Sequence, residues 1–161
     1  MKNLLYILSV ILLISCGNEP KKEKFSYERV KEEPVAQVSS DALILNSNDQ
    51  MLFDKSLLKA NAGEEITLVL NHTGKIGKEF MGHNFVLLKK DVDVDDFAML
   101  ALDFKENEYI PENNDLIVHT KMLVGGESDT INFTIEEPGS YTYVCTFPGH
   151  YQIMQGILTI E

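Results

Sequence analysis

From Thr130 to Ile135 the chain alternates without a break: Ile131, Phe133 and Ile135 are apolar, and Thr130, Asn132 and Thr134 are polar. A period of two belongs to a strand with one face on a core and the other in water. Short runs rich in β-branched and apolar residues recur at 41–46, 65–71, 83–88, 116–120, 141–145 and 156–160. Met51-Leu-Phe53 reads as a further edge strand. Turn clusters separate the runs at Asn46–Asp49, Ala62-Gly63, Gly125-Gly126 and Pro138-Gly139. Seven or eight short strands punctuated in this way predict an all-β fold, an antiparallel β-sandwich.

One segment departs from the period of two. Phe97, Leu100, Ala101 and Phe104 recur at helical spacing, and Asp93, Asp95 and Asp96 crowd the first turn, where the helix dipole favours acids. The pattern predicts an inserted helix over about 93–105, packed against the side of the sandwich. Asp91 and its acidic neighbours lack the glycine and closing glutamate of an EF-hand loop, so they read as a helix start and not as a calcium site.

The first forty residues follow other rules. Lys2 precedes a short apolar run, Leu4 to Ile14, which is too short for an ordinary membrane-spanning helix and reads as a signal peptide over 1–15. Leu13-Ile14-Ser15-Cys16 resembles a bacterial lipobox, in which Cys16 receives the lipid. Residues 16–40 are charged with few large apolar side chains, as in a flexible tether, and the globular domain is expected over 41–161. The formal net charge of -11 excludes nucleic acid, whose phosphates need a basic face.

The chemistry concentrates in Cys145-Thr-Phe-Pro-Gly-His150-Tyr-Gln-Ile-Met154. The strand run before this loop and the one after it place a thiol, an imidazole and a thioether at one end of a sheet. A thiolate, two imidazoles and a weak axial thioether make up a blue-copper electron-transfer site, so one histidine is missing from the loop. His72, His83 and His119 are the candidates. His83 stands at the start of an apolar strand; His72 reads as a turn histidine and His119 as a partly exposed strand histidine. With Cys16 lipidated, Cys145 has no cysteine to pair with, which favours a metal ligand or a nucleophile. For a nucleophile, no residue is evidently placed to orient a histidine base.

Met81-Gly-His-Asn84 together with Cys145-x4-His150-x3-Met154-x-Gly156 resembles azurin, a bacterial cupredoxin family, over the whole globular part. Asn48-Asp-Gln-Met-Leu-Phe53 and His119-Thr-Lys121 are lesser matches. The resemblance implies a cupredoxin-like Greek-key sandwich holding one type 1 copper ion. It implies that His83, Cys145 and His150 are the strong ligands, Met154 the weak axial ligand and the Gly82 carbonyl a more distant axial contact. Asn84 would tie the His83 segment to the Cys145 loop, and backbone N–H groups near Phe147 would hydrogen-bond the sulfur. Met51, Ile76, Met81, Phe147, Pro148 and Ile153 would form an apolar docking patch around the edge of His150; Phe80 fits either this patch or the core. The chain departs from the family in having no cysteines for its usual disulfide, Phe85 after Gly-His-Asn, and no tryptophan.

The expected function is single-electron transfer without substrate turnover, between redox proteins such as cytochromes, oxidases or peroxidases. The expected place is the periplasmic side of a bacterial membrane, held by lipid on Cys16. Copper delivery or storage at the same site is the alternative.

Overall fold

A computed structural model describes residues 42–161; the signal, Cys16 and tether readings lie outside the described residues. Among the described residues nine strands form two sheets. They are β1 (Leu43–Asn48), β2 (Leu52–Phe53), β3 (Leu57–Ala60), β4 (Glu65–His72), β5 (Val86–Leu88), β6 (Leu116–His119), β7 (Ser128–Thr134), β8 (Gly139–Val144) and β9 (Gln155–Ile160). One sheet runs β2-β1-β4-β7 and the other β3-β9-β8-β5-β6. The expected all-β sandwich is present, with corrections. Two pairings are parallel, β1 with β4 and β3 with β9. The supposed turn at Asn46–Asp49 is mostly strand, because Asn46, Ser47 and Asn48 pair onward and the chain turns only after them. Residues 83–85 are not strand; His83 makes a lone bridge to Leu123.

The alternation that predicted the strands decides which side chains meet. Leu45, Leu68, Leu70, Phe85, Leu87, Tyr143 and Leu158 fill the space between the sheets. In β5 every residue is buried: Leu87 points into this core, while Val86 and Leu88 join a second cluster with Phe97, Ile110 and Val144. That second cluster explains the helix. Helix α2 (Val94–Ala101) is capped by Asp93, whose side chain accepts from the Asp96 N–H, and it covers the outer face of β5 and β8. The helix is shorter than expected and continues as a 3-10 segment, Leu102–Asn107. Its buried residues are Phe97, Ala98 and Ala101, and Leu100 faces outward at 40% exposure.

A second helix has no counterpart in the sequence reading: α1 (Lys78–Met81), a single turn just before Gly82 and His83. It leaves Phe80 77% exposed, so this ring belongs to the surface and not to the core.

Candidate metal centre

The Cys145–Met154 loop is closed at its base and shaped by turns. The Cys145 N–H donates to the Met154 carbonyl at 2.9 Å. Inside, the His150 N–H reaches the Phe147 carbonyl (3.0 Å), and the Ile153 and Met154 N–H groups return to the His150 carbonyl (3.0 and 2.8 Å). Gly149, the third residue of the Phe147–His150 turn, takes a φ of 81°, a conformation costly for other residues. The loop therefore carries His150 back over Cys145 as a consequence of its own backbone bonding.

His83 arrives from the other side of the same end. Its backbone exchanges two hydrogen bonds with Leu123, and its Nε2 lies 2.9 Å from the Asn48 carbonyl. A carbonyl can only accept, so Nε2 holds the proton and Nδ1 keeps a free lone pair. That Nδ1 is 3.2 Å from His150 Nδ1, and the two lie 3.9 and 3.8 Å from Cys145 Sγ. An ion centred in the triangle at about 2.3 Å from sulfur and about 2.0 Å from nitrogen requires S···N near 3.8 Å and N···N near 3.5 Å. The three atoms are thus spaced to fit one first-row metal ion, and soft sulfur with imidazole nitrogen suits copper.

All three groups are buried: His83 and Cys145 completely, His150 at 3% exposure. Burial disfavours charge. It pushes the Cys145 thiol up to about 11, against the pull of N–H groups of Asn84 and Phe147 directed at the sulfur. It pushes both imidazoles down to about 4. The metal-free protein at neutral pH thus holds a thiol and two neutral imidazoles. An entering cation displaces the one thiol proton and meets no positive ligand.

The other site residues of the sequence reading are placed as follows. The Gly82 carbonyl oxygen lies 4.0 Å from Cys145 Sγ. A side chain at Gly82 would sit 3.0 Å from Met122 and from the Lys78 carbonyl. Met154 is fully buried, and its backbone is bonded to Cys145 and to His150. Asn84 makes a reciprocal pair with Thr146: its Nδ2 donates to Thr146 Oγ1 at 2.8 Å, and the Thr146 N–H donates to its Oδ1 at 2.9 Å. Both residues are buried. Of the patch, Ile76, Pro148 and Ile153 are exposed, and Met51, Met81 and Phe147 are half-buried. Asp49 joins two of its parts by accepting from the Lys75 and Ile76 N–H groups, and the Lys75 bond leads in holding its carboxyl below the ordinary value.

His72 is a correction. It is the last residue of β4, not a turn residue, and it is buried with its ring centroid 4.3 Å from that of His83. Its Nδ1 accepts from the Gly74 N–H at 3.1 Å, so its Nε2 donates to the Met81 carbonyl at 2.8 Å. His72 braces the peptide that leads into Gly82 and His83. The local signal for this was Gly74, two residues on, where any Cβ would strike the His72 ring. His119 is exposed at the end of β6 nearer this triangle, paired with Val86, and it is not one of the three residues whose donor atoms converge there.

Comparison with known proteins gives a consistent result. Residues 40–161 match the copper binding proteins of the plastocyanin/azurin family. Azurin-1 of Alcaligenes xylosoxydans xylosoxydans is 37% identical over 121 residues, covering 70% of this chain and 92% of its own. Outer membrane protein H.8 of Neisseria gonorrhoeae is 34% identical over 123 residues, 74% of this chain and 67% of its own. Among solved structures, azurin Az-iso2 from Methylomonas sp. strain J superposes with a TM-score of 0.69 at 31% identity, over 76% of this chain and 99% of that one. Auracyanin from Roseiflexus castenholzii gives 0.68 at 30% identity, over 76% and 98%.

Proposed function

Since the chain belongs to the plastocyanin/azurin family of copper-binding proteins and has a type 1 copper site for single-electron transfer, we propose that it is a lipid-anchored electron carrier on the periplasmic side of a bacterial membrane. The observation that carries this is the convergence of Cys145, His83 and His150 donor atoms in a fully buried triangle. Copper held there supplies one-electron Cu(II)/Cu(I) chemistry. The residues supply the rest. Cys145 would give a soft donor and the two imidazoles nitrogen donors acceptable to both oxidation states, and Met154 and the Gly82 carbonyl would be weak further donors that favour neither. The Asn84–Thr146 pair and the loop's turn bonds keep these groups in place as charge changes. Complete burial of His83 and Cys145 places ligand exchange behind the folded core, which supports electron transfer over copper delivery.

His150 is the electron port of this reading. Its Nδ1 faces the other ligands, and the residue, at 3% exposure, lies next to Phe147, Pro148 and Ile153 at the surface. Around it Phe80, Ile76, Pro148 and Ile153 offer an exposed apolar patch suited to brief docking with cytochromes, oxidases or peroxidases. Cys16 carries the lipid, and residues 16–40 are the tether to the domain over 41–161. The neisserial outer membrane protein among the relatives supports the membrane-side placement. Two measurements test the proposal. The native protein should enter the detergent-rich phase of a cloud-point extraction, and Cys16→Ala should move it to the aqueous phase. Ile153→Glu should slow reduction of the blue protein by membrane cytochromes while leaving its colour intact. A native protein found in the aqueous phase removes the anchor, and an unchanged rate removes the patch.

A further inference from the structure

Next to the apolar patch, sharing Phe147 with it, a groove of about 370 Å³ opens between α1 and the end of the 3-10 segment. We propose that this groove binds a small neutral phenol of the hydroquinone class and passes an electron from it toward the metal centre. Two rings and a thioether, Tyr109, Phe147 and Met122, line its inner wall, and charged side chains, Lys78, Glu79, Lys105, Glu106 and Glu108, complete the lining. Tyr109 stands edge-on to Phe147 with centroids 5.7 Å apart, and the Phe147 ring is 4.6 Å from the ring of His150. A planar ring lying on Tyr109 and Phe147 is therefore in van der Waals sequence with a ligand of the centre. Met122 closes the floor against Gly82.

The rim selects hydroxyl donors. Glu108 pairs with Lys78 and receives the Met122 N–H at 2.8 Å, which fixes a carboxylate at the mouth as an acceptor. Lys78 and Lys105 set against Glu79, Glu106 and Glu108 leave the groove close to neutral, which suits an uncharged reductant. The volume suits a single-ring molecule. In the step, bound hydroquinone gives one electron to Cu(II), forming Cu(I), and one phenolic proton to water in the open groove; it leaves as a neutral phenoxyl radical.

This inference rests on the copper electron-transfer reading, and the experiment separates the two. Anaerobic titration of the copper-free protein with 1,4-hydroquinone, followed by amide NMR, should shift Tyr109, Met122 and Phe147 with saturation. Reduction of the Cu(II) protein in a stopped-flow instrument should saturate at the same concentration. Tyr109→Leu should raise that concentration about fivefold, the loss of one ring-on-ring contact. Tyr109→Phe should stay within about twofold, because the ring remains. Amide spectra and the blue colour certify each variant as folded. Shifts that do not saturate, shifts centred on Ile76 and Ile153, or unchanged affinity in Tyr109→Leu overturn the groove assignment. A protein that stays colourless with Cu(II) overturns the copper reading instead.

Discussion

Replacing Asn84 by alanine removes the tie between the two halves of the centre. Asn84 donates to Thr146 Oγ1 and accepts from the Thr146 N–H, at 2.8 and 2.9 Å, with both residues at 2% exposure or less. Each bond contributes about 1 kcal/mol net, and the buried Thr146 N–H left without a partner costs roughly 1–3 kcal/mol more. Partial relaxation gives an expected loss of about 3 kcal/mol. Urea unfolding of the metal-free protein at neutral pH measures this as a midpoint lower by about 1–2 M at an unchanged slope. Asn84→Asp keeps the acceptor for Thr146 and should lose less. The copper form adds a second readout. Thr146 follows Cys145 directly, and N–H groups of Asn84 and Phe147 point at the sulfur. Loosening them removes stabilisation of the electron-rich thiolate in the reduced state, so the reduction potential of Asn84→Ala should fall. A stability loss below about 0.5 kcal/mol would refute the claim that this pair holds the site together.

Two further outcomes follow from buried groups. His83 and His150 titrate at about 4 in the fold against 6.5 as free groups, so the unfolded chain binds more protons between those values. The metal-free protein should therefore keep its full stability above about pH 6.5 and lose it on acidification toward pH 4, at up to about 2.5 kcal/mol per pH unit; a flat profile by chemical denaturation between pH 5 and 6.5 contradicts this. A Cβ at Gly156 would stand 2.2 Å from the Tyr143 hydroxyl and 2.7 Å from the Ser56 carbonyl. Gly156→Ala should cost about 2 kcal/mol, and Tyr143→Phe should recover little of it because the ring carbon and the Ser56 carbonyl still stand in the way; thermal melts of the double-mutant cycle read the coupling.

The legible parts of this fold were those written locally. The alternation in β7 exposes Thr130, Asn132 and Thr134 and turns Ile131 and Phe133 inward, as the pattern predicts. The loop from Cys145 to Met154 was legible because three donor types stand within ten residues. Other features depend on partners far along the chain. Strand β3 has no amphipathic signature, with Leu57 69% exposed, and exists because Leu57 to Ala60 pair with Ile157 to Ile160. The parallel pairing of β1 with β4 carries no sequence mark, since alternation sets which face a residue takes and not the direction of its neighbour. His72 escaped because its role is a contact with the Met81 carbonyl, nine residues away, and its one local mark, Gly74, reads equally as an ordinary turn glycine. Helix α1 escaped for a related reason: one turn is too short to show a helical period.

Whether Cys145 and two imidazoles hold copper as a type 1 centre is read from the optical spectrum after adding one equivalent of Cu(II). An intense blue sulfur-to-copper absorption should reach its maximum at one ion per chain and be absent in Cys145→Ala. A pale spectrum without that band in the native protein, or an unchanged band in Cys145→Ala, would contradict a type 1 centre.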